Sequence, residues 1–205
     1  AKALVSDIAR DVRNMQYHVG LLQKKVKVIN ELADYVRDKS LNDIKNIELY
    51  KLTTITPNPP YRWSRASLEQ IKSSGSLRFF TNDSIDYYVS QYDAWTTHLD
   101  QDNLQDQEKF LNAFEKKVLV VDSNYPNDFA TKMESNPDSV MKTQCYKEMA
   151  SSKSLLANSL NEVKSMVAAY LIVKDNYVGR INELNQLLRD QERLILLLKR
   201  EYGWQ

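Results

Sequence analysis

Helix breakers are scarce along this chain. It holds 4 Gly and 5 Pro in 205 residues, 9 of 205 or about 4%, where average usage would give roughly 12%. The prolines are also clustered, Pro57, Pro59 and Pro60 in one group and Pro126 and Pro137 around another. So few breakers cannot serve a sandwich, a many-turned barrel or a doubly wound fold with glycine-rich phosphate loops. What remains is a small number of long helices.

The rest of the composition narrows the class. Twenty-eight basic and 27 acidic side chains leave a net charge of +1, which is no electrostatic footprint for nucleic acid. One cysteine, Cys145, excludes an internal disulfide. No run of 18 or more apolar residues exists, so these residues contain no membrane span.

Hydrophobic spacing is helical from Leu4 to about Tyr50. Val12, Val19, Val26 and Ala33 form one row seven apart, and Met15, Leu22, Ile29 and Val36 form the other; such rows predict coiled-coil-like packing. Residues 53–64 break the helix at their prolines. A short helix follows over Ala66–Ser73, with Ser67 and Gln70 spaced as a capping box and Gly75 placed to end it in the left-handed conformation. Leu77, Phe79 and Phe80 lead to a helix that starts at Asn82 or Asp83. Its stripe is Ile85, Tyr88, Tyr92, Trp95 and Leu99, continued by Leu104, Leu111 and Val118 with Phe110 and Phe114 beside them. After a loop over 123–137, with one short helix at 127–134, Asn136 caps a helix with Pro137 at its first position. That helix runs from 138 to Tyr202, with its break at Ser151-Ser152-Lys153-Ser154 and Gly203 as terminator. One row there is Val163, Tyr170, Tyr177, Leu184 and Leu198, with Gln191 as the exception. The other is Val167, Ile181, Leu188 and Ile195, with Lys174 as the exception.

The expected architecture is therefore all-α. It is one elongated bundle, a single domain over 1–205, of three or four long helices (1–50, 82–122 and 138–202) with a loop and short-helix cap over 53–80. Gly20 and Gly179 fall inside helices, where glycine costs about 1 kcal/mol relative to alanine, and close approach of a neighbouring helix would explain them.

Catalytic motifs are missing. The sequence has no G-x-S-x-G, Walker loop, H-E-x-x-H or C-x-x-C. His18 falls between the apolar rows and reads as a solvated or rim residue, and no sequence feature suggests that Cys145 is activated as a nucleophile, so it reads as a small buried or half-exposed thiol. His98, Asp102 and Asp106 are one turn apart and resemble a cation site, but without the glycine and terminal spacing of a calcium loop; a solvated helix face is the simpler reading. Lys24, Lys25 and Lys27 read as solvated surface. No catalytic residue, metal or cofactor is assigned. An aromatic-rich centre remains: Tyr61, Trp63, Tyr87, Tyr88, Tyr92 and Trp95, interleaved with Arg62, Arg65 and Arg78. Tyr61, Arg62, Trp63, Tyr88, Tyr92 and Trp95 are the candidate ligand or partner contacts; the alternative is that these rings wedge the proline loop against the bundle.

The stretch Ser67-Leu68-Glu69-Gln70-Ile71-Lys72-Ser73-Ser74-Gly75-Ser76-Leu77, with Asn82-Asp83 and Tyr87-Tyr88 after it, resembles a bacterial family of single-pass membrane proteins of unknown function. The tail Leu194–Tyr202 and the start Leu4-Val5-Ser6-Asp7-Ile8 are similar to that family's ending and to the helix beyond its membrane span. The resemblance implies a basic stretch and one hydrophobic helix before Ala1, and by positive-inside logic a domain on the periplasmic face of a bacterial inner membrane; otherwise the chain is cytoplasmic. Asp83-Ser84-Ile85 and Asp138-Ser139-Val140 match a short periplasmic O-glycosylation pattern. The expected function is non-enzymatic: a membrane-tethered interaction or scaffold domain that pairs with a protein partner or with itself, and not with nucleic acid. The alternative is a sensor domain binding a small molecule near the aromatic residues of 61–95.

Overall fold

The computed structural model describes residues 2–75, 80, 82–125, 129–144, 146–148 and 153–203. The expectations for Leu77, Arg78, Phe79, Pro126, Cys145 and Ser151-Ser152 lie outside them. Among the described residues every regular element is helical. In order these are α1 (Lys2–Val36), a 3-10 turn (Leu41–Asp43), α2 (Asn46–Leu52), α3 (Ala66–Ser73), α4 (Asp83–Val120), α5 (Phe129–Ser135), α6 (Pro137–Met141) and α7 (Leu160–Glu201). The long helices α1, α4 and α7 have 35, 38 and 42 residues. None is long and apolar enough to cross a membrane.

Two helix ends differ from the sequence expectation. The first helix stops at Val36, not near Tyr50. Asp38, Ser40, Asn42 and Asp43 crowd the next turns with side chains that compete for backbone hydrogen bonds. Ser40 Oγ donates to Asp43 Oδ2 at 2.6 Å, and the Lys45 N–H donates to Tyr35 Oη at 3.0 Å. The last long helix begins at Leu160 instead of continuing from 138. Ser159 Oγ accepts the Glu162 N–H at 3.4 Å, while Glu162 Oε2 accepts the Asn158 N–H at 2.8 Å. This is a capping arrangement of the S-x-x-E type. At the other short helices Asn136 caps α6 through the Ser139 N–H, and Gly75 and Gly203 take φ of 66° and 63° as expected. Gly20 and Gly179 are not sites of close approach: a Cβ built on either meets nothing within 4 Å.

The chain divides into two compact units, and α1, α4 and α7 each contribute a segment to both. One unit comprises Ala1–Gln23, Asn58–Gln105 and Val178–Gln205; the other comprises Lys24–Pro57 and Asp106–Tyr177. One core cluster of the first unit is Leu4, Ile8, Leu68, Ile85, Val89, Tyr92, Leu194 and Leu198. In the second unit Tyr50, Tyr125 and Phe129 pack with ring centroids 4.3 and 5.3 Å apart in succession. Asn46 holds the chain end of α4 there. Its Nδ2 donates to the Asp122 carbonyl and to Tyr125 Oη, both at 2.9 Å, and its Oδ1 accepts the Asp122 N–H.

Buried positions repeat at alternating steps of three and four, but not on every expected row. In α1 the row Met15, Leu22, Ile29 and Val36 is buried. The second buried row is Leu4, Asp11, His18 and Leu32, one position before the expected Val12 row; Val19 of the expected row is buried too, while Val12, Val26 and Ala33 lie on the half-buried flank. In α7 the row from Val163 to Leu198 is buried, Gln191 included, with Met166, Val173, Arg180, Leu187 and Leu194 as its companion; of the expected second row Val167 is buried too, and Ile181, Leu188 and Ile195 are half-buried. In α4 the buried positions run Ile85, Val89, Tyr92, Thr96, Leu99, Asn103, Asp106, Phe110, Ala113, Lys117 and Val120. Leu104, Leu111 and Val118, read from the sequence as core, are 64%, 56% and 44% exposed.

Lys117 is the clearest cost of that choice of face. It is 7% exposed, its Nζ donates to the Thr53 carbonyl at 3.2 Å, and it lies 5.2 Å from the Tyr50 ring centroid. Burial pushes its pKa down to about 8. A lowered lysine pKa means that the charged form is penalised in the fold. The penalty is fully present below pH 8 and is relieved as pH rises towards the value in the unfolded chain. Stability is expected to rise between about pH 8 and 10 and to fall above that, because burial raises Tyr170 and Tyr177 above the unfolded value. Lys117→Met should add about 1–3 kcal/mol at pH 7 and abolish the rise; urea melts at stepped pH measure both. Gly20→Ala and Gly179→Ala should each add about 0.5–1 kcal/mol, since neither adds a clash, as read by thermal unfolding.

Candidate functional site

The aromatic centre is positioned by a polar row on α1. Asp11 is fully buried. Its two carboxylate oxygens accept the Ser64 N–H at 2.9 and 3.0 Å, and Oδ2 also accepts the Tyr92 hydroxyl. One turn earlier, Asp7 accepts the Ser67 N–H at 3.1 Å. Ser67 is thus not the N-cap of α3. Arg65 holds that position without a side-chain bond, and a carboxylate from another helix satisfies the exposed donor and the helix dipole. Arg10 Nε donates to Ser64 Oγ at 2.6 Å. His18 is buried at 9% exposure with its ring 4.8 Å from that of Tyr61, which corrects the rim reading. Segment 61–67 is therefore fastened along α1 by groups that the apolar rows ignored.

The six candidate contacts separate on this frame. Tyr61 and Trp63 stack at 5.2 Å, and Trp63 Nε1 donates to Asp100 at 2.8 Å. Tyr92 has no exposed surface, and burial followed by its bond to Asp11 raises its pKa. Trp95 lies edge-on to His98 at 5.6 Å. Arg62 is exposed. Tyr88 is half-buried, with the Arg193 guanidinium 5.6 Å from its ring centroid. Of the six, Tyr88 lines the groove formed with Asp83, Ser84, Tyr87, Arg193 and Leu197, whose volume is about 280 Å³. Ser84 is exposed there and Ser139 is exposed on α6, while the Asp138 side chain lies outside the described residues.

Two charged clusters flank the same segments. Asp93 accepts Arg65 Nη2 at 2.5 Å and Lys72 Nζ at 2.8 Å. Burial raises its carboxyl, but the hydrogen bonds from Lys72 and Arg65 outweigh that and hold it below the usual carboxylate range. His98, Asp102 and Glu183 bring ligand-type atoms within 4.8 Å of one another, and the third member is Glu183, not Asp106. His98 Nε2 is 3.0 Å from Asp102. Arg180, 6% exposed, sits on both carboxylates, at 2.5 Å from Asp102 and in contact with Glu183. A buried guanidinium already supplies the charge that a divalent cation would supply, so the cluster is an ion-pair network.

Comparison with family models, with curated proteins and with solved structures gives no match to this chain.

Sequence periodicity misses Asp11 because an acidic residue between apolar rows reads as a solvated flank. A local signal existed in Asp7, Arg10, Asp11 and Asn14, a polar ridge at helical spacing. Asp11→Ala is expected to cost about 2–4 kcal/mol, because the Ser64 N–H and the Tyr92 hydroxyl are left without their acceptor. Asp11→Asn should cost less, as it keeps one acceptor oxygen. Urea unfolding followed by tryptophan fluorescence measures the difference.

Proposed function

We propose that this chain is a non-enzymatic interaction domain, carried on the periplasmic face of a bacterial inner membrane by a segment before Ala1. Its long helices are read as coiled-coil-like in packing. The observation that carries the interaction reading is the inverted face of α4. Asn103, Asp106 and Lys117 are buried, while Leu104, Leu111, Phe114, Val118 and Leu119 are 44–72% exposed. Exposed apolar rows at heptad spacing are the usual face for a partner helix. The membrane tether and the periplasmic side rest on the family resemblance of residues 67–88 and of the two chain ends.

A second reading, a small-molecule sensor, is favoured by the Tyr88–Arg193 groove. Its volume of about 280 Å³ lies just under the usual range for ligand pockets. Metabolite-induced thermal stabilisation that Tyr88→Ala abolishes would establish it.

A photo-reactive residue at position 111 of the full-length gene product should yield adducts in the membrane fraction, and one at exposed Asn182 should not. Protease added to spheroplasts should digest the domain. Absence of adducts from position 111 overturns the interaction reading, and protection from protease overturns the location.

A further inference from the structure

The unit formed by Lys24–Pro57 and Asp106–Tyr177 carries two apolar surfaces of opposite character. One is a ridge on α4. Leu111, Phe114 and Val118 are 56%, 44% and 44% exposed. Glu108 and Glu115, three or four residues from Leu111, are exposed beside them. The other is a groove of about 270 Å³ between the end of α1 and the start of α7. Ala33, Val36, Val167, Ala168 and Leu171 line it, and its charged lining residues are both basic, Arg37 and Lys164. Arg37 already pairs with Asp34 at 2.5 Å, so Lys164 is the cation that an incoming acid meets first. On α7 the residues that meet α4 are others. Ser165 accepts Lys116 Nζ at 2.9 Å and Asn176 accepts Lys109 Nζ at 3.0 Å. Ridge and groove each extend over seven helical steps, Leu111 to Val118 and Lys164 to Leu171, or about 10 Å.

We propose that a second copy of this chain is the occupant: the α4 ridge of one copy lies in the α1–α7 groove of the next. This deepens, and rests on, the interaction reading above. The charges choose this pairing over the alternatives. Ridge on ridge sets Glu108 and Glu115 against themselves, and groove on groove sets Arg37 and Lys164 against themselves. Ridge in groove places carboxylates against the ammonium and guanidinium, with Phe114 and Leu111 entering a trough floored by the small side chains Ala33 and Ala168. The two surfaces are different, so the contact is heterologous and each copy keeps one of each after pairing. The products are chains or rings larger than a dimer.

The test is sedimentation equilibrium of the 205-residue chain at rising concentration and two salt levels, with two single variants of exposed residues. Leu111→Glu spoils the ridge and Ala168→Arg fills the groove; circular dichroism and the melting temperature verify that each folds. Wild type is expected to form species beyond the dimer, less so at high salt. Each variant alone should weaken association at least about tenfold. An equimolar mixture of the two variants should form a dimer and nothing larger, since each retains the surface that the other lacks. A wild type that stays monomeric overturns the proposal, as does association that Leu111→Glu abolishes and Ala168→Arg leaves intact, which would mean ridge-on-ridge pairing. A monomeric wild type whose position 111 still cross-links to a different protein in cells overturns this inference and leaves the interaction reading standing; a monomeric wild type without adducts overturns both.

Discussion

The buried carboxylate of Asp11 joins three parts of the chain that the sequence keeps far apart: α1, the segment after the prolines, and α4. Its oxygens take the Ser64 N–H and the Tyr92 hydroxyl. A carboxyl group with no exposed surface is tolerable only when such donors replace water. Segment 61–67 therefore has one favoured seat on α1. From it follow the start of α3 under Asp7, the placement of Leu68 in the core, and the stacking of Tyr61 on Trp63. In the other unit Lys25, seven positions after His18, plays a similar part by donating to the Thr56 carbonyl at 2.8 Å.

The same preference for polar fastening explains the turned face of α4. Lys117 donates to the Thr53 carbonyl, which Tyr170 Oη also approaches at 3.4 Å. Burying Lys117 and Asp106 forgoes the more apolar row of the same helix, and that row is what the chain presents to solvent. A helix that spends its apolar residues outward and its polar ones inward is less stable alone than its composition allows.

Much of the architecture was legible. Scarcity of glycine and proline pointed to long helices, and the chain is all-helical among its described residues. Gly75, Gly203, Asn136 and Pro137 mark ends by local chemistry that needs no partner, and they do so in the structure. The end of α1 at Val36 and the capping of α7 by Ser159 and Glu162 were written in short polar clusters that the heptad rows overrode in the reading. The candidate site was less legible. Tyr61, Trp63 and Tyr92 were found as a group, but Asp11 and His18, which hold them, look like the edges of an apolar stripe.

By itself the sequence determined the class of structure and one buried row in each of α1 and α7, because helical periodicity and end signals act within a few turns of chain. Only the tertiary structure decided the second row: the Leu4 row over the Val12 row, the Met166 row over the Val167 row, and in α4 the Lys117 row over the Val118 row. The physical reason is that an apolar stripe on a helix is wider than the seam it packs into. Which flank goes inside depends on hydrogen-bond partners such as the Ser64 N–H and the Thr53 carbonyl, and other parts of the chain supply these.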